Sequence, residues 1–355
     1  MNQRISLLKD KMSTNNIDGM IVENPLNIKY LTGLDAEGIL LISKKEDVFI
    51  TDARYIESVN NTITIGDNLT ICDFADLTED DYLNFFKECN RVYFEEDYVT
   101  YKEYHNIIRK YNIQETVEAN HIIEKMREQK DSEELSNIEK ACNITNSCFL
   151  HLQDFIKVGM TEKQIAFEIK KFFIENGADG EAFDTIVASG SNSSMPHAIP
   201  TDKKIENGDP VLIDFGAKYK GYCADMTRTI FVGSCSREAE NLYNFVLQTQ
   251  ENAFTRYRDG ANAKDIAGFV QHEFYNHKFN LVHALGHGVG LYIHERPVIS
   301  ERSNDILKEK MVVTNEPGIY INGLFGIRIE DTLLINKLNA TNLTKSNKNL
   351  LILNN

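Results

Sequence analysis

The chain has 355 residues, 42% hydrophobic and 26% charged, with a formal net charge of −15. That length suits two cores better than one. The negative balance repels phosphate backbones, which excludes nucleic acid as an expected partner and leaves solubility as the reading of the acidity. No apolar run approaches the ~20 residues that cross a bilayer, so no membrane role is expected.

The opening MNQRISLLKDKMSTNN holds no hydrophobic signal core, and the cytoplasm is the expected location. Cys72, Cys89, Cys142, Cys148, Cys223 and Cys235 form no C-x-x-C pair and read as reduced small side chains, which fits that compartment. The pattern predicts an opening helix around Gln3–Met12. Apolar strands follow in MIV, GILLIS and DVFIT, the last two separated by the polar KKE turn, and then in LTIC and RVYF. Helices are expected near Asp80–Cys89 and Thr100–Tyr111. Strands alternating with helices predict an α/β N-terminal domain over residues 1–123.

The charged segment EKMREQKDSEEL, Glu124–Leu135, reads as the connection that opens a second domain, residues 124–355. Asp131 and Ser132 are candidate N-caps of a helix that runs to about Lys157 and is ended by Gly159. Thr161 to Gln164 matches a capping box, and the helix it opens stops at Asn176-Gly177. Two more helices are expected at Arg237–Arg258 and Ala263–Lys278. Helices and paired strands in separate blocks predict an α+β second domain.

The chemistry lies in two hairpins and the stretch between them. VLIDFGAKYKGYCADMTRT, Val211–Thr229, sets Asp214 and then Asp225 into an apolar run, where an ionised carboxylate is costly unless paired. A hairpin turning about Tyr219-Lys220 places the two aspartates directly opposite each other, ~5 Å apart. Like charges that close repel unless a cation lies between them or one is protonated. In TNEPGIYINGLFGIRIED, a loop at Asn322-Gly323-Leu324 sets Glu316 opposite Glu330, with Pro317 expected to distort the ladder.

Between the hairpins, HALGHGVGLYIHERP carries His283, His287 and His294. The i, i+4 spacing of the first two suits a zinc site on a helix. Gly286, Gly288 and Gly290 argue against a stable helix there and let the backbone come close to something, such as a metal cluster. Four carboxylates with one or two imidazoles form an oxygen-rich set that suits a pair of divalent ions: Mn²⁺, Co²⁺, Fe²⁺ or Zn²⁺. Ion pairs with Arg228, Arg328 and nearby lysines are the alternative, but two arginines neither neutralise four acids nor explain the histidines.

These residues resemble a known family, the pita-bread metallopeptidases that include aminopeptidase P, prolidase and methionine aminopeptidase. The matching motifs are AFDTIVASGSNSSMPH, VLIDFGAKYKGYCADMTRT, HALGHGVGLYIHE, TNEPGIY and GIRIED, in order. IDGMIVENPLNIKYLTG and DVFITDARY resemble the extra creatinase-like N-terminal domain of the aminopeptidase P and prolidase branch. The fold implied is therefore an α/β creatinase-like domain followed by an α+β pita-bread (creatinase/aminopeptidase) catalytic domain.

The resemblance implies a set of roles. Asp214, Asp225, His287, Glu316 and Glu330 would be ligands of two divalent ions, with Mn²⁺ the first expectation. His197 and His294 would line the substrate site, and Glu316 would also shuttle a proton. His283 matches a less regular histidine of some members, and Arg328 and Thr227 would hold the carboxylates in place. The implied substrates are short proline-containing peptides cut before proline, and a homodimer is expected. Some prolidases carry an arginine four residues after the HE histidine to select a free substrate carboxylate. Here Val298 stands at that position. The expected activity is therefore that of a Xaa-Pro aminopeptidase, with Xaa-Pro dipeptidase as the alternative. A non-catalytic binding module is a third reading, disfavoured because every ligand position is filled. Cys223 shares strand parity with Asp225 and reads as a small filler. The remaining histidines, at 105, 121, 151, 272 and 277, have no motif and are expected to be structural or on the surface.

Overall fold

The computed structural model describes residues 2–62 and 68–354 and divides into two units, Met1–Arg127 and Glu128–Asn355. The first unit is a six-stranded mixed sheet with helices. In spatial order the strands are Leu69–Asp73, Asp47–Thr51, Ile39–Ser43, Gly19–Val22, Arg91–Phe94 and Glu115–Glu118. Gly19–Val22 and Asp47–Thr51 are buried along their whole length, and Ile39–Ser43 is buried but for its first residue. This accounts for the unbroken apolar runs that marked them in the sequence. Thr100 opens helix Tyr101–Tyr111 with a capping box to Glu103, and Asn112 ends it in the left-handed conformation. The helix expected at Asp80–Cys89 runs instead from Glu79 to Phe85. Phe86 turns into the core edge-on against Tyr111.

In the second unit, two pairs of helices each back a sheet. Helices Ser132–Phe155 and Glu162–Glu175 pack on a four-stranded sheet, ordered Ile352–Leu353, Met226–Val232, Pro210–Phe215, Ile186–Ser189. Helices Arg237–Phe254 and Ala263–Asn276 pack on a five-stranded sheet, ordered Glu295–Ile299, Gly286–Gly288, Val312–Asn315, Asp331–Ile335, Ala340–Asn342. Asp131 caps the first of these helices with a full capping box to Glu134, and Thr161 caps the second through Gln164.

Strand alternation decides which way the functional side chains face. Val211, Ile213 and Phe215 join the helix-backed core, so Asp214 points to the other face of its sheet. The partner strand Met226–Val232 sets Thr227, not Asp225, opposite Asp214. This corrects the expected register. The turn lies at Lys220-Gly221, both in the left-handed region, with Tyr219 paired to Tyr222. The two aspartates are diagonal neighbours on one face, within reach of a shared partner. The second hairpin has the expected register. Gly318 pairs with Arg328 and Ile321 with Phe325 around the Asn322–Leu324 loop. The ladder breaks at Pro317 and resumes in step, with Asn315 opposite Asp331.

Candidate metal centre

Five side chains converge between the two sheets of the second unit. Asp214 and Asp225 come from the first sheet and its hairpin, His287 from the strand Gly286–Gly288, and Glu316 and Glu330 from either side of the broken ladder. Ligand atoms of Asp225, His287 and Glu330 lie within 4.8 Å of one another. His287 Nε2 stands 3.5 Å from Asp225 Oδ2 and 3.5 Å from Glu316 Oε1.

Two of the carboxylates are each held by one oxygen and left open at the other. Thr227 Oγ1 donates to Glu330 Oε2 at 2.6 Å, and Arg328 Nη2 donates to Asp214 Oδ2 at 2.6 Å. The remaining oxygens, Asp214 Oδ1, Asp225 Oδ1 and Glu330 Oε1, are buried without a hydrogen-bond partner. Buried acceptors are rarely left unpaired, and three aimed into one cluster fit a cationic ligand. His287 Nδ1 meets the Gly288 carbonyl at 3.1 Å. A carbonyl only accepts, so Nδ1 carries the proton and the Nε2 lone pair faces the carboxylates, as a metal-binding imidazole requires.

Electrostatics leads to the same cluster. Burial, then Glu330, Asp214 and Glu316, push the Asp225 carboxyl well above the usual carboxylate range. Burial followed by Glu316 and Asp214 does the same to Glu330. Burial raises Glu316 to about 8 and lowers His287 to about 4. Acids so crowded keep protons unless cations replace them. Arg228, weighed above as a neutralising group, is occupied elsewhere: it pairs with the buried Asp331 at 2.8 Å on the far side of the strand. Of the two arginines, Arg328 is the one that enters the cluster.

A relay unassigned from the sequence runs away from Asp214. Arg328 Nη1 donates to Tyr320 Oη at 2.7 Å, and Tyr320 Oη lies 3.0 Å from His283 Nε2. His283 Nδ1 sits 2.7 Å from the Ala284 carbonyl, so its Nε2 accepts the tyrosine proton. Burial holds Tyr320 up at about 12 and His283 down at about 4, so both stay neutral. Tyr320 shares strand parity with Glu316, and that parity was the signal available to find it.

The cluster floors a cavity of about 750 Å³. His197, His283 and His294 line it, as do the apolar Phe183, Ile186, Ile199 and Ile293. The rings of His287 and His294 are 4.5 Å apart, edge to face. Gly286 and Gly288 approach backbone, and Gly290 the Glu295 carboxylate, rather than a metal cluster. A Cβ on Gly286 would meet the Thr314 carbonyl oxygen at 2.2 Å, and one on Gly288 the Arg296 carbonyl oxygen at 2.0 Å. Cys223 is buried with Sγ toward the Leu291 carbonyl and acts as packing.

Comparison with known proteins gives a consistent assignment. Residues 136–337 match the model of metallopeptidase family M24, and residues 4–129 match that of the creatinase/prolidase N-terminal domain. The chain is 35% identical to a Xaa-Pro dipeptidase of Pyrococcus furiosus, over 99% of this chain and 100% of that protein. It is similar to the structure of a Xaa-Pro dipeptidase from Bacillus anthracis, with TM-score 0.93, 35% identity and 99% of each chain covered. It is also similar to an X-Pro aminopeptidase from Thermotoga maritima, with TM-score 0.87, 31% identity, and 95% of this chain and 97% of that one covered. A creatinase-like N-terminal domain thus precedes a pita-bread catalytic domain, and the chain belongs to metallopeptidase family M24, whose chemistry uses divalent metal ions.

Proposed function

We propose that this chain hydrolyses the peptide bond before proline in short peptides, with Xaa-Pro dipeptides as its main substrates. The observation that carries the reading is the convergence of Asp214, Asp225, His287, Glu316 and Glu330 with three buried, unpartnered oxygens in one cavity. These five side chains would hold two divalent ions, with Mn²⁺ the first candidate among Mn²⁺, Co²⁺, Zn²⁺ and Fe²⁺. Bound there, the ions would supply Lewis acidity and a water acidic enough to be deprotonated near neutral pH. Glu316 would take up a proton from the attacking water and pass it to the leaving nitrogen. His294, at the cavity mouth, donates to the oxygen on which charge develops, and His197 orients the peptide beside it. Arg328 and Thr227 keep Asp214 and Glu330 from turning away. The Xaa-Pro bond is a tertiary amide with no N–H and a fixed proline ring, which general peptidases handle poorly.

The dipeptide preference departs from the sequence expectation of an aminopeptidase and is supported by the Pyrococcus and Bacillus relatives. Xaa-Pro aminopeptidase activity is the second reading. It is favoured by Val298, which is exposed, stands opposite His287 in the strand register and is absent from the cavity lining. The same proposal places the protein in the cytoplasm as a homodimer. The test is metal analysis of the purified protein, with assays on Ala-Pro and Ala-Pro-Gly with Mn²⁺ and with chelator. Chelator-sensitive cleavage, faster on the dipeptide, supports the reading. Cleavage of the tripeptide alone establishes the aminopeptidase. Bound metal with neither substrate cut overturns both.

A further inference from the structure

His294 reaches the cavity with nothing of its own to hold it. The side chain is exposed on the cavity wall, and its imidazole makes no hydrogen bond among the described residues. The aim of the ring therefore rests on the backbone that carries it. That backbone, residues 291–294, is an irregular turn between the strands Gly286–Gly288 and Glu295–Ile299.

The next residue, Glu295, ties this turn from behind. Its Oε1 accepts from the Tyr292 amide at 3.1 Å. The same carboxylate lies against Gly290, where an added Cβ would meet Glu295 Oε2 at 2.4 Å. Gly290 in turn offers its carbonyl to the Cys223 amide at 2.8 Å. Behind the carboxylate stands Lys130, whose Nζ donates to Glu295 Oε2 at 3.2 Å and to the Glu128 carbonyl at 3.3 Å. Both side chains are out of water, 1% exposed for Lys130 and 6% for Glu295. The lysine is anchored in its own right, its amide donating to the Lys310 carbonyl at 2.9 Å. A fixed path thus runs from Lys310, through a buried ion pair, to the amide two residues before His294.

A buried ion pair is a poor device for stability alone. Desolvation offsets most of the attraction, and apolar residues of equal volume commonly serve as well or better. What apolar packing cannot supply is a directional acceptor for the Tyr292 amide. Leu291 and Ile293 are buried beneath the turn and hold it down, but such contacts are non-directional. Resting on the Xaa-Pro reading, in which His294 donates to the developing oxyanion, we propose that the Lys130–Glu295 pair is a positioning device for His294. Neither residue lines the cavity. The pair acts through the turn, so its loss slows the chemical step while metal and substrate still bind.

Either single substitution strands a buried charge and endangers folding, so the test uses double variants. Lys130→Met with Glu295→Leu keeps the volume and removes both charges and the acceptor. Its metal content and thermal midpoint should stay close to wild type. On Ala-Pro its kcat should fall roughly 10- to 100-fold, with KM changed by less than about twofold. Lys130→Met with Glu295→Gln keeps an acceptor for the Tyr292 amide and should recover part of that loss. A cycle with His294→Ala, which by itself should cost about 10²-fold in kcat, separates positioning from general damage. In the His294→Ala background the first double variant should cost nothing further. Equal losses in both backgrounds, no loss of kcat, or a double variant too unstable to load metal each overturn the inference and leave the peptidase reading intact. Wild-type protein that binds metal and cleaves neither Ala-Pro nor Ala-Pro-Gly overturns the peptidase reading and takes this inference with it.

Discussion

Thr227 shows how much of the centre depends on residues that bind nothing themselves. Its hydroxyl donates to Glu330 Oε2 at 2.6 Å and accepts from Arg328 Nε at 3.0 Å, while the same guanidinium holds Asp214. One hydroxyl thus ties a carboxylate of the second hairpin to the arginine that orients a carboxylate of the first. Thr227→Val keeps the shape and removes both bonds. Metal affinity should fall by about 10- to 100-fold, the usual cost of losing an outer partner of a ligand. Titrating activity and calorimetric heat against free Mn²⁺ measures the change, and an unaltered affinity would show that Glu330 needs no such support. Thr227 was legible in the sequence because it sits two residues after Asp225 and so faces the same way. The neighbouring Asp331 was not legible. It follows Glu330, points to the opposite face, and satisfies Arg228, Lys348 and Gln250 inside the protein.

Among the elements, the two hairpins were read from the same rule with different success, and the difference has a local cause. In the second, Gly323 lies within a three-residue loop, so the register is centred as expected. In the first, a two-residue turn with both residues at positive φ puts glycine second, at Gly221, after Lys220. Centring the turn one residue earlier displaces every pair by two, which keeps the faces right and the partners wrong. Helix Glu162–Glu175 carries a less visible device. Its first residue, Glu162, is fully buried and accepts from the Ser189 amide at 2.6 Å, the Thr201 amide at 2.9 Å, both their hydroxyls, and Asn192 Nδ2. It therefore clamps both ends of the segment that carries His197. Sequence patterning showed only the capping box around it. Burial alone would raise its pKa, but these hydrogen bonds win and hold it below the ordinary 4.5. A depressed carboxylate stabilises fully above its unfolded value and loses that contribution as pH falls through its folded one. Glu162→Gln should therefore cost about 2–3 kcal/mol at neutral pH, the scale of charged hydrogen bonds lost in a buried site. The gap from wild type should narrow below pH 4.5. Urea unfolding at both pH values measures it, and a gap constant with pH would mean the charge is not what matters.

At the scale of the molecule, the acidic cluster is a seam that belongs to neither half of the catalytic unit alone. One half supplies Asp214 and Asp225, and the other supplies His287, Glu316 and Glu330. The fold class, the two-part organisation and the motif order were readable because each depends on local pattern: period, caps and turn residues. Which oxygens stay unpartnered depends on how two distant hairpins meet, and no local pattern encodes that. The seam also makes a prediction about stability. Without cations, the two halves press buried carboxyls together and each resists ionisation. With cations, binding to the folded state adds RT ln(1 + [L]/Kd), about 2.7 kcal/mol at a hundredfold excess over Kd. The thermal midpoint of the catalytic unit should therefore rise with Mn²⁺ and fall with chelator. Asp225→Asn combined with Glu330→Gln removes the repulsion and the ligands together. That variant should melt higher than metal-free wild type and show no response to Mn²⁺. If calorimetry instead finds the metal-free wild type the more stable of the two, the carboxyls are not in conflict, and the cations would be needed for catalysis alone and not to join the two sheets.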